Sequence, residues 1–372
     1  MSKLNLAVIS DLHLGNSKNK TTDIIANLKL AFPDNAETAE LDIIFLAGDI
    51  FDRLLTLPND DVKEIGFWIT HLLNLCAKHD ILLRVLEGTP SHDWKQSEQF
   101  VNIAKIINSP IDLVYVKELS IEYIQKYDIH VLYIPDEWQS TTERTLADVK
   151  ALLKAKGLTH VDYAIMHGAF TFQLPEIVKS HKHDPDEYLA IVRELIFIGH
   201  IHTFSTYKRI IAQGSFDRLA HGEEEPKGHV RATITNDGYT ARLVENKKAK
   251  IFKSIDCTDL TVDESLQKID NTILNTTPPN GSYIRVIGSG DNPVITNMNV
   301  LVSRYPLLIW SRLVKDKVVE DKITEEGSDV DYIPITITPE NLKGLLMNRV
   351  FHSDVDSNVV LIAEKILNDI SP

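Results

Sequence analysis

Asp11-Leu12-His13, Gly48-Asp49-Ile50-Phe51-Asp52-Arg53, His92-Asp93, Met166-His167-Gly168 and Gly199-His200-Ile201-His202 each follow a short apolar run. Carboxylate and imidazole together, without cysteine, suit Mn²⁺, Fe²⁺ or Zn²⁺ at a reactive centre better than a structural zinc. Residues two apart on an extended chain point to one side, so Asp11 and His13 can share an ion. His200 and His202 repeat that arrangement. Any one of these stretches has an ordinary structural reading, but five in order point to one site. A carboxylate bridging two ions roughly 3.5–4 Å apart is an arrangement for in-line phosphoryl displacement, so the set reads as a two-metal phosphoesterase.

Strands are the elements that must deliver these residues. Residues 4–10, 43–47, 81–86, 131–134, 161–166 and 195–198 are short runs of aliphatic and β-branched residues. Helical periodicity over 22–31, 60–78 and 141–156 alternates with them, as in an α/β fold. Residues 206–211, 229–235 and 239–244, with Asn236-Asp237-Gly238 as a turn, predict an antiparallel second sheet. The first domain is expected to span 1–245, with the polar stretch 245–250 as a linker. A smaller accessory domain, 246–372, would hold helices at 262–274, 339–347 and 355–367 and strands at 282–287 and 307–313.

At 372 residues and 43% hydrophobic composition the chain can bury two cores. No apolar run approaches the length of a membrane span, and the first residues lack a signal sequence, so a cytoplasmic protein with no membrane partner is expected. Cys76 and Cys257 form no metal-binding spacing and read as buried fillers. The net charge of -14 argues against wholesale attraction to phosphate backbones; a nucleic-acid enzyme would need a metal, a basic partner or a local patch such as Lys247, Lys248 and Lys250. His181-Lys182-His183 reads as a solvated loop, and Trp94 and Trp138 as packing residues.

The ordered set resembles the calcineurin-like metallophosphoesterases over roughly residues 4–245. That resemblance implies a β-sandwich flanked by helices (αββα), with the C-terminal part a smaller α/β capping domain. It makes Asp11, His13 and His202 ligands of one divalent ion, Asp49 the bridge, and His167 and His200 ligands of the other, with Mn²⁺ the first choice. His92 would be the catalytic histidine at the leaving oxygen, oriented by Asp52, and Arg53 a phosphate contact. Gln213-Gly214-Ser215-Phe216-Asp217-Arg218, then His221-Gly222-Glu223 and Lys227-Gly228, is similar to a segment of SbcD-type nucleases of recombination and double-strand-break repair. It makes Arg218 a second substrate contact, and implies DNA as substrate and an SbcC-type coiled-coil ATPase as partner, with a homodimer also open.

The chain departs from the family at Gly88-Thr89-Pro90-Ser91-His92-Asp93, where the family has Gly-Asn-His-Asp or Glu and the asparagine amide binds the second metal. Ser91 then stands in the asparagine's place as a shorter, weaker ligand, and the two ions are expected to bind unequally. Two other readings use the same residues: a hydrolase of small phosphate esters, which suits the acidic charge, and a feebly catalytic DNA-end-binding scaffold, which the loss of the asparagine would allow.

Overall fold

A computed structural model gives the structure and describes residues 3–315. In chain order the strands are β1 (Leu4–Ile9), β2 (Ile43–Ala47), β3 (Leu82–Leu86), β4 (Leu113–Val116), β5 (Ser120–Ile124), β6 (Ile129–Ile134), β7 (Val161–Gly168), β8 (Val192–His200), β9 (Ser205–Tyr207), β10 (Ile210–Ala212), β11 (Gly228–Thr235), β12 (Gly238–Glu245), β13 (Phe252–Asp256), β14 (Tyr283–Gly288) and β15 (Ile309–Val314). They form three sheets, ordered β12-β11-β1-β2-β3-β4, β5-β6-β7-β8-β10-β9 and β13-β14-β15.

The near-continuous apolar runs of the central strands have a structural cause: both faces of each large sheet are covered. Leu6 and Val8 of β1 and Ile43 and Phe45 of β2 pack between the two sheets against Tyr163, Ile165, Leu195 and Phe197. Their sequence neighbours Ala7, Ile9, Ile44 and Leu46 face outward under the helices Thr21–Ala31 and Asp60–His79. On the other sheet Leu132, Ile134, Ala164 and Met166 face the helix Thr142–Ala155 through Val149 and Leu153. Successive side chains of a strand point to opposite faces, so each strand feeds two cores. The result is the α/β sandwich with helices on both outer faces.

The long helix Asp60–His79 shows how local sequence sets these layers. Asn59 caps its first turn by accepting the Asp61 N–H at 2.8 Å, and Asp80 ends it in the left-handed region at φ 54°. Ile65, Trp68, Ile69, Leu72 and Cys76 recur at three- and four-residue steps and are buried, so one stripe meets the sheet. Cys76 and Cys257 are both free and buried.

The expected antiparallel second sheet is corrected. The β11–β12 hairpin, turned at Asn236-Asp237-Gly238, pairs through β11 with β1 and widens the first sheet. Residues 206–211 are two short strands, β9 and β10, reversed at Lys208 with φ 52°; β10 lies parallel to β8. The single run hid a turn because Lys208-Arg209 carries neither glycine nor proline.

The described residues belong to one compact unit. Its third sheet is all parallel, with the helix Val262–Thr276 closed at its start by a Thr261–Glu264 capping box. Residues 246–250 are fastened rather than loose: Asn246 N–H donates to the Lys227 carbonyl at 2.7 Å, and buried Lys250 pairs with Asp23 at 2.8 Å. The helices expected at 339–347 and 355–367 lie outside the described residues.

Candidate metal centre

The carboxyl ends of β1, β2, β3, β7 and β8 supply the residues singled out above, as expected of ligand sites in sheets of parallel strands. Close backbone approach makes the convergence feasible. A Cβ on Gly48, where φ is 87°, would stand 2.3 Å from His167 Nδ1, and one on Gly88 would stand 2.1 Å from the Asp49 nitrogen. Asp11, His13, Asp49 and His200 themselves hold positive φ, at 52°, 48°, 51° and 96°. Such backbone costs roughly 1 kcal/mol or more per residue and persists where surroundings hold it. Here the Asp11 N–H donates to the Gly48 carbonyl at 3.0 Å, and those of Leu12 and His13 donate to the Asp49 carbonyl at 2.9 and 3.1 Å.

Three groups of side chains have donor atoms close enough to share an ion: Asp11, His13 and His202; Asp49, His167 and His200; and His13, Asp49 and His92. The imidazoles show whether a cation fits. His167 Nδ1 donates to the Ala47 carbonyl at 2.7 Å, which leaves the Nε2 lone pair buried, without a hydrogen-bond partner, 3.2 Å from Asp49 Oδ1. His202 Nδ1 meets Glu223 Oε1 at 3.2 Å; His13 Nδ1 lies 3.3 Å from Asp52 Oδ1 without a hydrogen bond, and the two Nε2 atoms face each other at 3.2 Å. For His167 and His202 an outer acceptor thus fixes one ring nitrogen, so that the other points inward at Asp49 or at His13 Nε2. Only positive charge relieves that arrangement, and the residues therefore fit divalent cations.

Without an ion, protons supply that charge. Burial would raise the Asp49 carboxyl, but the His167, His92 and His13 imidazoles outweigh it and hold Asp49 well below the usual carboxylate range. Burial would lower His167, but Asp49 beside it drives the imidazole far above its ordinary value. Buried Asp49 is thus an anion that demands a positive neighbour.

Asp52 is placed differently from the expectation. Its carboxylate lies against His13 and accepts from Asn16 Nδ2 at 2.9 Å, whereas His92 turns its Nδ1 to Asp49 Oδ2 at 3.0 Å. The step of three from Asp49 to Asp52 carries the second carboxylate to the β1 loop, where Asp52 N–H donates to the Leu14 carbonyl. The hydrogen bond to Asp49 raises the His92 imidazole, although partial burial opposes it. Asp93 is fully buried and accepts the N–H groups of Gly88, Phe51 and Asp49 at 2.7, 2.9 and 3.1 Å, tying the β2 and β3 loops together.

Ser91 is corrected outright. It is exposed within the single helical turn Pro90–Asp93, and its carbonyl accepts from Trp94 Nε1 at 2.7 Å. Thr89 occupies the position at the second group: its N–H donates to Asp49 Oδ1 at 2.6 Å, and its Oγ1 lies 3.3 Å from His200 Nδ1. Counting forward from Gly88, which the family's asparagine directly follows, would have found it; counting back from His92 found Ser91. Asp136 was missed because it follows β6 without a histidine beside it, in Pro135-Asp136-Glu137.

The later signature braces His202. Glu223 holds His202 Nδ1, buried Lys227 lies 3.0 Å from Glu223 Oε2, and Lys227 Nζ donates to the His202 carbonyl at 2.8 Å. Burial would raise the Glu223 carboxyl, but the His202 hydrogen bond and the Lys227 charge bring it down to about 2. Arg218 spends its guanidinium on main-chain carbonyls, including that of Glu225 at 3.0 Å, so it acts as a strut there and not as an open phosphate contact. Arg53 is exposed, one residue beyond Asp52. His183, expected in a solvated loop, is buried against Tyr188, whose hydroxyl is 3.1 Å from its Nδ1.

The fold and this Asp/His cluster together fit a metallophosphoesterase, and the cluster is compatible with a metal-dependent hydrolase. Among solved structures, one protein is 12% identical with a TM-score of 0.40, covering 65% of this chain and 99% of its own. Another, TT1561 of Thermus thermophilus, is 8% identical with a TM-score of 0.39 and the same two coverages, 65% and 99%. No family model matches the sequence, and no curated protein does. No helix among the described residues is long and apolar enough to cross a membrane.

Proposed function

We propose that the chain is a two-metal phosphodiesterase acting on DNA, of the SbcD type, with Mn²⁺ as its ion and an SbcC-type coiled-coil ATPase as its partner. The observation that carries the catalytic part is the inward-facing set of imidazole ring nitrogens around Asp11 and Asp49 at the ends of strands from both large sheets. Asp11, His13 and His202 would hold one ion, His167 and His200 the other, and Asp49 both. Two divalent ions so held supply Lewis-acid stabilisation of the charge that develops on a phosphodiester.

The protein's own part is positioning and proton transfer. Glu223 and the Ala47 carbonyl set the tautomers of His202 and His167, and Asp52 lies against His13. His92, half-exposed and with its Nδ1 on Asp49, presents the opposite ring nitrogen for donation to the departing oxygen. The hydrogen bond to Asp49 raises its proton affinity in the ion-free chain, and proton donation from a positioned imidazole is a general-acid role. Support for DNA rather than a small ester comes from the likeness of residues 213–228 to the SbcD segment, which in this chain braces His202. Exposed Trp94, two residues from His92, offers an aromatic face at that rim.

The test is hydrolysis of linear DNA and of bis-p-nitrophenyl phosphate, each with Mn²⁺ and with chelator. Cleavage of both, abolished by chelator, with far greater efficiency on DNA, is the expected result. Efficient turnover of the small diester alone would establish the small-ester reading, and DNA binding without cleavage of either would establish the scaffold.

A further inference from the structure

One carboxylate beside the second metal position belongs to none of the five motifs. Asp136, just past β6, directs Oδ2 at Thr89 Oγ1, 3.1 Å away, and lies 3.6 Å from His200 Nδ1. Its other oxygen accepts the Glu137 N–H at 2.9 Å, which fixes the carboxylate's orientation. The Thr89 hydroxyl also stands 3.2 Å from Asp49 Oδ2 and 3.3 Å from His200 Nδ1. A hydroxyl has one hydrogen to give, and this one stands between two carboxylate oxygens and a ring nitrogen that donates or accepts according to its tautomer. At most one is satisfied by it, and the separation of Asp136 from His200 Nδ1 is too long for a hydrogen bond between them. By contrast, Glu223 meets His202 at 3.2 Å, as an orienting partner does. A second observation comes from the other side of the position, where the buried His167 Nε2 has no hydrogen-bond partner.

We infer that Asp136, with the Thr89 hydroxyl, takes the place of the asparagine amide at the second metal position. The inference rests on the two-metal reading above. The first ion then faces Asp11, Asp49, His13 and His202, and the second faces Asp49, His167 and His200, with Asp136 reaching it past the Thr89 hydroxyl. Each meets two carboxylates and two imidazoles. The weakness expected from Ser91 is removed, because a charged oxygen replaces a neutral amide, and the two affinities become similar.

The experiment measures Mn²⁺ binding to the full chain by calorimetry, with metal content after gel filtration as an independent readout. Wild type is expected to bind two ions with affinities within about tenfold of each other. Asp136→Ala should retain one and weaken the other by roughly tenfold or more. Asp136→Asn, which keeps the shape of the side chain, should weaken the same ion in the same direction. Thr89→Asn, added to Asp136→Ala, should recover much of the lost affinity by returning an amide oxygen to the position after Gly88. Two ions bound by Asp136→Ala as tightly as by wild type would overturn the inference and leave the two-metal reading standing. Loss of the second ion without recovery by Thr89→Asn would also overturn it, by making Asp136 a prop for His200. A wild-type chain that binds no Mn²⁺ would sink the two-metal reading itself.

Discussion

His92 and Asp49 touch, yet removal of each should have a different consequence. Asp49 is buried between His13, His92 and His167, with its carboxylate directed at both candidate ion positions. His92 is half-exposed, hydrogen-bonds in the cluster to Asp49 and sets its ring edge-on to His13 at 5.0 Å. His92→Ala is therefore expected to keep both ions while losing about 10²–10⁴-fold in phosphodiester cleavage, the usual contribution of a general acid. Asp49→Ala should lose metal binding and cleavage together. Mn²⁺ calorimetry on both variants checks this, and equal loss of metal in the two would make His92 a ligand, which its place beside His13 and Asp49 also permits geometrically. The site was legible where one strand end carried two ligand types at a fixed step, as at Asp11 and His13. It was not legible where a lone residue met the cluster through the fold, as Asp136 does, since no sequence spacing links it to the motifs.

Strands with both faces covered announced themselves as apolar runs, and β1, β2, β3, β7 and β8 stand where the runs predict them. β5 and β13 did not, because polar positions such as Glu122 and Lys253 break their runs, and the four residues of β4, though apolar, were passed over. Pairing was harder still: the β11–β12 hairpin was readable, but its attachment to β1 depends on which edge is free. That attachment leads to a pH prediction. His229 of β11 is buried against the Phe32 ring at 4.9 Å and accepts from Arg231 Nε at 3.2 Å. Burial, with Arg231 and Arg242 adding to it, pushes the imidazole down to about 3. The unfolded chain titrates this histidine near 6.5, so between that value and 3 it binds a proton that the folded state refuses. The contribution to stability is complete above pH 6.5 and is lost as pH falls toward 3, amounting to about 2 kcal/mol by pH 5. His229→Gln should therefore lose less stability than wild type between pH 7.5 and pH 5, as read from urea midpoints at the two values. Parallel changes in the two proteins would show that His229 is not held neutral.

The molecule as a whole carries a net charge of -14 and concentrates buried carboxylates where its two large sheets meet. Asp11 and Asp49 arrive from the first sheet, while His167 and His200 arrive from the second, so a cation held there joins the ends of both. The unfolded chain has no such convergence. An ion that binds only the folded state stabilises it by RT ln(1 + [L]/Kd), about 2.7 kcal/mol for each site at a hundredfold excess over Kd. Two sites filled in this way should raise Tm by roughly 5–10 °C in a protein of this size, given how unfolding entropy scales with chain length. Differential scanning calorimetry with chelator and with graded Mn²⁺ measures the shift. Asp49→Ala separates this linkage from a general effect of salt, because it removes the shared carboxylate and leaves the remaining surface charge almost unchanged. A Tm that climbs with Mn²⁺ in wild type but hardly moves in Asp49→Ala is the expected pattern. Equal climbs in both would place the stabilising ions elsewhere, and a wild-type Tm indifferent to Mn²⁺ and chelator would mean that the imidazoles and carboxylates balance one another through protons alone.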